Sequence, residues 1–264
     1  MSPSDRLLRP PRTAVLGYVT LTVAAALVVL RQAAPASLGP DFWFWLAAGV
    51  LAESLWLRLP LGGATLSMAS AVVLATVLTL PPGDAIVATA VATLVGELVV
   101  MRKPLLRAVF NASQTAVAVG AAAWGFARVG AWRSAGASAE GLDPVAVLAA
   151  AALFYVVNRA AVTGMIALHE RVAVWTAWRT SFQHRAEVVT TLAAFGLGAL
   201  AGGLYAATGP VRAIAPALIF AGLWLLCRWA QTRHAELAAR LARARAVPDA
   251  PPSADERAPR RRAS

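Results

Sequence analysis

Six residues carry side chains able to hold a charge, a proton or a ligand where their neighbours in the sequence offer none: Glu53, Glu97, Asn111, Gln114, Asn158 and Arg159. Each interrupts a long apolar run. In hydrocarbon such groups are costly unless they meet a partner, a cavity or the interface, so each marks a contact that needs explaining. Asn111 and Gln114 are three apart and share a helix face, so both amides can address one neighbour. Arg159 is the single cation inside a run. Glu97 or Glu53 is its expected counter-charge, because an unpaired guanidinium at that depth would have to reach back to the interface. The cluster has two uses: an ion-pair and amide network that holds helices together, or a site for a ligand, ion or proton.

The elements that must position these groups are apolar runs of roughly membrane-spanning length. The chain has 264 residues, 59% of them hydrophobic and 14% charged, a composition far from that of a soluble domain. A run that long can bury its backbone polarity in hydrocarbon only as helix. The expected fold class is therefore all-α, a polytopic transmembrane helical bundle. Its candidate spans are 13–30, 42–57, 66–80, 85–101, 108–127, 144–168, 188–207 and 211–227, about eight, with a range of six to eight. The third and fourth are short and divided only by Pro81, Pro82, Gly83 and Asp84. Residues 1–12 form a basic N-terminal segment. The run behind it is longer than the apolar core of a secretory signal, and further spans follow at once, so it reads as the first span.

Arginine fixes the orientation. With alternating spans, nineteen basic residues fall on one side: Arg6, Arg9, Arg12, Arg58, Arg102, Lys103, Arg107, Arg171, Arg179, Arg185 and nine arginines from Arg228 onward. The other side has Arg31, Arg128, Arg133 and Arg212, which with Arg159 completes the 24 basic residues. The positive-inside rule then places both termini in the cytoplasm and the protein in the cell membrane as a multi-pass chain. In that topology Glu53, Glu97, Asn111 and Arg159 sit within one or two helical turns of one another in height, at about 1.5 Å per residue, in the cytoplasmic half.

Three further segments follow. Around 169–187, Val172, Trp175, Trp178 and Phe182 recur at helical spacing among Arg171, Arg179 and Arg185, which predicts an interfacial cytoplasmic helix within the 13–227 bundle. Residues 228–246 contain good helix formers and no Gly or Pro, predicting a cytoplasmic helical extension. A weak heptad through Leu237 and Leu241 makes a homodimer through this helix a second expected association. Residues 247–264, rich in Pro and Arg, read as a disordered basic tail.

Other chemistry is thin. The single Cys227 cannot form an internal disulfide. His169, His184 and His234 lie in separate segments without metal-ligand spacing, so no metal and no cofactor is expected. Gly62 and Gly63 after Pro60 read as turn residues, and Phe42, Trp43, Phe44, Trp45, Trp124 and Trp132 as an aromatic belt at the outer boundary. The basic residues flank spans instead of lining one helix face among aromatics, so their expected partner is the lipid bilayer and not nucleic acid. No GxSxG, HExxH, paired-Asp or CxxC motif supports catalysis, and the chain is not expected to be an enzyme.

Three stretches resemble a known family when taken together: Leu59-Pro60-Leu61-Gly62-Gly63-Ala64-Thr65-Leu66-Ser67-Met68-Ala69, then Leu105-Leu106-Arg107-Ala108-Val109-Phe110-Asn111-Ala112-Ser113-Gln114, then Phe154-Tyr155-Val156-Val157-Asn158-Arg159. In order and placement they are similar to the MASE-type multi-span membrane sensor regions that precede GGDEF diguanylate cyclase or HD-GYP phosphohydrolase domains in bacterial signalling proteins. The resemblance covers about 42–227. It implies a bundle that senses something at or in the membrane and passes a change along the last helix, with Asn111, Gln114 and Asn158 as the positions that match. No sequence resembling GGDEF or HD-GYP follows Ala246, so the expectation is either output through a cytoplasmic signalling partner or loss of that role. The competing reading is a small-solute transport component, similar in layout to the substrate-binding membrane subunits of energy-coupling-factor transporters. A third is a lipid-acting membrane enzyme using Glu53 and Glu97 as acid and base.

Overall fold

The computed structural model describes residues 12–35, 38–54, 56–58, 65–134, 142–182, 185–208 and 214–246. Each of the eight expected runs contains a helix. In chain order the elements are α1 (Arg12–Ala33), α2 (Pro40–Glu53), strands β1 (Trp56–Arg58) and β2 (Thr65–Ser67), α3 (Ala69–Thr79) and α4 (Pro82–Val95), which continues as a π-helical turn (Gly96–Val100). Then follow α5 (Leu105–Ser134), α6 (Pro144–Glu170), α7 (Val174–Phe182), α8 (Arg185–Ala207) and α9 (Ile214–Ala246). The chain divides into two compact units, Met1–Leu223 and Trp224–Ser264. The first is the helical bundle. The described part of the second is helical as far as Ala246, and the expected tail at 247–264 lies outside the described residues.

Local chemistry starts and stops these helices. Pro144 opens α6 where no intrahelical N–H is needed, and Asp143 caps it by accepting from the Val145 N–H at 3.0 Å. Arg171 ends α6 in the left-handed region at φ 56°, with the Val172 N–H returning to the Ala167 carbonyl at 3.1 Å. Pro82 opens α4 in the same way as Pro144 opens α6.

Two sequence expectations change at the α2–α3 connection. The runs 42–57 and 66–80 are not helical throughout, because Leu57 and Leu66 face each other as the central pair of an antiparallel hairpin, flanked by Trp56–Ser67 and Arg58–Thr65. The sequence has a reason for a break here: a proline such as Pro60, which itself lies outside the described residues, lacks a backbone donor and disfavours helix at the residue before it. The all-α expectation therefore carries one two-stranded exception. Gly62 and Gly63 lie outside the described residues.

The core is organised around α3. Residues Ala71 to Leu78 are all buried, and α3 packs against α2, α4, α5, α6 and α8. Eleven residues span only about 16 Å, roughly half a hydrocarbon core. Protein on all sides removes the need to reach either interface, and the Thr76 hydroxyl satisfies itself on the Val72 carbonyl at 2.7 Å.

The outer surface is the reverse of a soluble protein's. Leu21 and Leu27 on α1, Leu148 and Val156 on α6, and Val189 and Leu192 on α8 are all more than half exposed. Apolar area displayed on this scale fits lipid as solvent. Among the described residues, four helices are long and apolar enough to cross a membrane: Thr13–Ala33, Pro82–Val100, Pro144–Glu170 and Val188–Ala207. α7 covers 174–182, shorter than the expected 169–187, with Val174 and Trp175 exposed.

Candidate functional site

Glu53, the last residue of α2, meets the end of α4. Its carboxylate accepts a hydrogen bond from the Thr93 hydroxyl at 3.0 Å. The seam between the two helices is built from small residues: a Cβ added at Gly49 would lie 2.7 Å from Ala92 Cβ, and one added at Gly96 would lie 2.5 Å from Glu53 Cβ. Only glycine at these positions lets the backbones come this close, as in other membrane helix pairs. The closeness puts the Glu53 carboxylate within reach of Thr93.

At Gly96 the helix widens into its π turn, closed by the Met101 N–H on the Gly96 carbonyl at 3.0 Å. Arg102 then takes a left-handed conformation at φ 51°. The Lys103 N–H returns to the Glu97 carbonyl at 2.9 Å, a closure one residue wider than the usual Schellman bond. The Lys103 ammonium also pairs with the Glu97 carboxylate. Glu97 and Lys103 are thus tied through both backbone and side chain. The Asn111 amide, one and a half turns into α5, donates to the same carboxylate oxygen, Oε1, at 2.6 Å.

The result is a polar cluster at one end of the bundle, drawn from α2, α4, the turn after it and α5. Glu97 is 3% exposed and Glu53 8%. Two carboxyl groups face one amine. The second Glu97 oxygen, Oε2, and the Gln114 side-chain oxygen are buried without a hydrogen-bond partner among the described residues.

Of the six expected residues, Glu53, Glu97 and Asn111 converge, and Gln114 lies one turn along the same α5 face. For Asn158 and Arg159 no hydrogen bond to Glu53, Glu97, Asn111 or Gln114 is seen among the described residues. The cation of Glu97 is Lys103 and the donor to Glu53 is Thr93, so the expected Arg159 pairing with either carboxylate is corrected. The Arg159 guanidinium lies 5.3 Å from the centre of the Tyr155 ring on its own helix, where the aromatic face stabilises it. Lys103, Thr93 and Gly96 were not singled out by sequence. A signal for the first existed: Lys103 is the only lysine among 24 basic residues.

At the opposite end of α2, the Tyr205 hydroxyl of α8 donates to the Asp41 carboxylate at 2.7 Å, with the Tyr205 ring stacked on Phe44 and tilted against Trp45. α2 is therefore held by polar contacts at both ends. Phe42 and Trp45 are core residues here, while Trp43 and Trp124 are exposed. The aromatic-belt expectation fits only the latter pair, and the Trp132 side chain lies outside the described residues. Among the described residues no group of three His, Cys, Asp or Glu could hold a metal ion, and His184 lies outside them.

Residues 20–224 match the family model MASE9. The chain belongs to the MASE9 family. This is one of the MASE-type membrane-associated sensor families, so the resemblance carried by the 59–69, 105–114 and 154–159 stretches holds. No curated protein and no solved structure matches the chain. The MASE9 match takes in the whole Glu53–Glu97–Asn111 cluster, the Tyr205–Asp41 contact and the first turns of α9. As a chemical device, the MASE9 cluster gathers two buried carboxyls, one ammonium and two amides at a helix junction. It can hold charge at a helix junction and change the packing there when that charge changes.

Proposed function

We propose that this MASE9 protein is a multi-pass sensor of the cell membrane that converts a membrane-level signal into a cytoplasmic output by contacting a partner, without catalysis of its own. The observation that carries this reading is the membership in a sensor family together with a buried charged junction at the end of α2 and α4. In the proposed topology α2, α3, α5 and α9 complete a set of about eight crossings with the four longest apolar helices, and both termini lie in the cytoplasm. The arginine distribution supports that orientation. The α7 helix then lies at the inner headgroup boundary, its Trp175 ring shallow in lipid and Arg179 in the aqueous layer. Output runs through α9, whose exposed Leu237 and Leu241 supply an apolar surface for a signalling partner or for a second copy.

The test uses the full-length chain in native membranes with photocrosslinking residues at Leu237 and Leu241. Adducts to a cytoplasmic signalling protein, or to a second copy whose yield changes with the state of the membrane, are expected. Adducts only to an energising ATPase subunit would overturn the sensor reading in favour of transport. Thiol labelling of the single Cys227 and of cysteines placed near Asp41 and Lys103, in intact and in opened cells, checks the topology independently.

A further inference from the structure

Only one of the two oxygens of the Glu97 carboxylate is engaged, although the residue is almost wholly buried. Oε1 accepts from Lys103 and from the Asn111 amide at 2.6 Å. Oε2 has no donor among the described residues, and neither has Oε1 of Gln114, which is itself more than nine-tenths buried. Asn111 and Gln114 share a face of α5. Because the first of these amides reaches Glu97, the second sits one turn further along the same side of the cluster. Glu97 and, one turn along the α5 face that meets it, Gln114 thus each bury an acceptor that has no donor among the described residues, which is unfavourable.

The charge count points the same way. The charged groups facing Glu97 are Glu53 from α2 and Lys103 from the segment after the π turn, while α5 contributes only the neutral Asn111 and Gln114. When Glu53 and Glu97 are both ionised, two carboxylates face one ammonium among the described residues, and the negative charge left over in a low-dielectric setting calls for a proton or a small cation. A single small positive charge would satisfy both the open oxygens and the balance. A divalent ion would overshoot it and meet the Lys103 ammonium. Carboxylate and amide oxygens are hard ligands, suited to alkali ions and protons and not to soft metals.

The geometry points to a binding site for one monovalent cation, an alkali ion or a proton, at Glu97 Oε2 and Gln114 Oε1, with Glu53 completing the charge balance. The claim goes beyond the sensor reading and is independent of it, since binding is measured on the isolated protein whether or not a partner responds.

The experiment uses the full-length protein in lipid nanodiscs, following the apparent thermal unfolding midpoint through tryptophan fluorescence. Sodium or potassium chloride replaces choline chloride at constant ionic strength in one arm, and pH varies in choline alone in the other. An alkali site gives a midpoint that rises with sodium or potassium. Gln114→Leu then raises the half-saturating concentration at least about tenfold, and Glu97→Gln abolishes the response. A proton site gives no alkali response but a pH-dependent midpoint, lost in Glu97→Gln and kept when His169 and His234 are replaced by glutamine. In the alkali case Lys103→Met, which removes the internal cation, steepens the response. If Glu97→Gln fails to fold, Gln114→Leu carries the test, because it leaves both carboxyls and Lys103 in place. A midpoint insensitive to alkali ions and to pH, or a dependence that survives both substitutions, overturns the proposal.

Discussion

Replacing Gly96 by alanine tests the α2–α4 seam most directly. The added Cβ would stand 2.5 Å from Glu53 Cβ and 3.0 Å from its Cγ, whereas carbon atoms in favourable contact sit about 3.5–4.0 Å apart. The backbones must therefore separate by about 1 Å, or Glu53 must leave Thr93. Overpacking of this kind costs about 1–3 kcal/mol, set against the gain of roughly 0.5–1 kcal/mol that alanine brings to a helix interior. Gly17 in α1 and Gly196 in α8 have nothing within 4 Å of an added Cβ, so Gly17→Ala and Gly196→Ala should show that gain alone. Reversible unfolding in mixed micelles, titrated with SDS and read by tryptophan fluorescence, measures all three. The double variant Gly96→Ala with Glu53→Gly removes the opposing Cβ and should recover at least about 1 kcal/mol relative to the sum of the single changes. Gly96→Ala as stable as Gly17→Ala would refute the close-packed seam.

Three other substitutions probe separate links. Lys103→Met leaves Glu97 buried without its cation and should destabilise by several kcal/mol, toward the lower end of the roughly 3–5 kcal/mol typical of a broken buried pair because Lys103 retains some exposure, as measured by the same SDS titration. Tyr205→Phe removes the hydroxyl that donates to Asp41 and should cost about 1–3 kcal/mol, with a red shift of tryptophan emission as Trp45 loses its packed neighbour's anchoring. Arg102→Gly relieves the left-handed strain at an exposed position and should stabilise by up to about 1 kcal/mol. A loss of stability in that variant would show that the Arg102 side chain, and not its backbone, holds the turn.

The helices were legible because hydrocarbon admits so few backbone solutions. Each long apolar run contains a helix, and the last helix continues without a break from Ile214 through the polar segment to Ala246. Errors arose where apolarity alone set a boundary: Leu57 and Leu66 looked like span residues and are strand partners. The unusual burial of α3 was not legible, since a helix that is apolar all round fits lipid or protein equally well. For the site, counting residues from run ends put Glu53, Glu97 and Asn111 at matching heights, and the structure brings them together. Height does not give the face: Lys103 is the cation on Glu97, while the Arg159 guanidinium lies by the Tyr155 ring. Lys103 was hidden by its company: beside Arg102 and Arg107 it resembled a topology charge, although its chemistry is distinct. A flexible stem and a compact ammonium can fold back six residues onto Glu97 where a planar guanidinium is less suited.

The bundle separates stability from charge. α3, wrapped by five helices, holds no ionisable residue, and its threonine hydroxyls bond within the helix, Thr76 to the Val72 carbonyl and Thr79 to that of Ala75. The ionisable cluster instead lies at the rim of that core, where α2 ends, α4 widens into its π turn and α5 begins. A change in charge at Glu97 acts on the wide Lys103–Glu97 closure and on the Gly96 seam, the least regular backbone around the core. If the proposed cation site is placed this way, substitutions in α3 should lower stability without altering the response of the unfolding midpoint to cations, and substitutions at Gln114 should do the reverse.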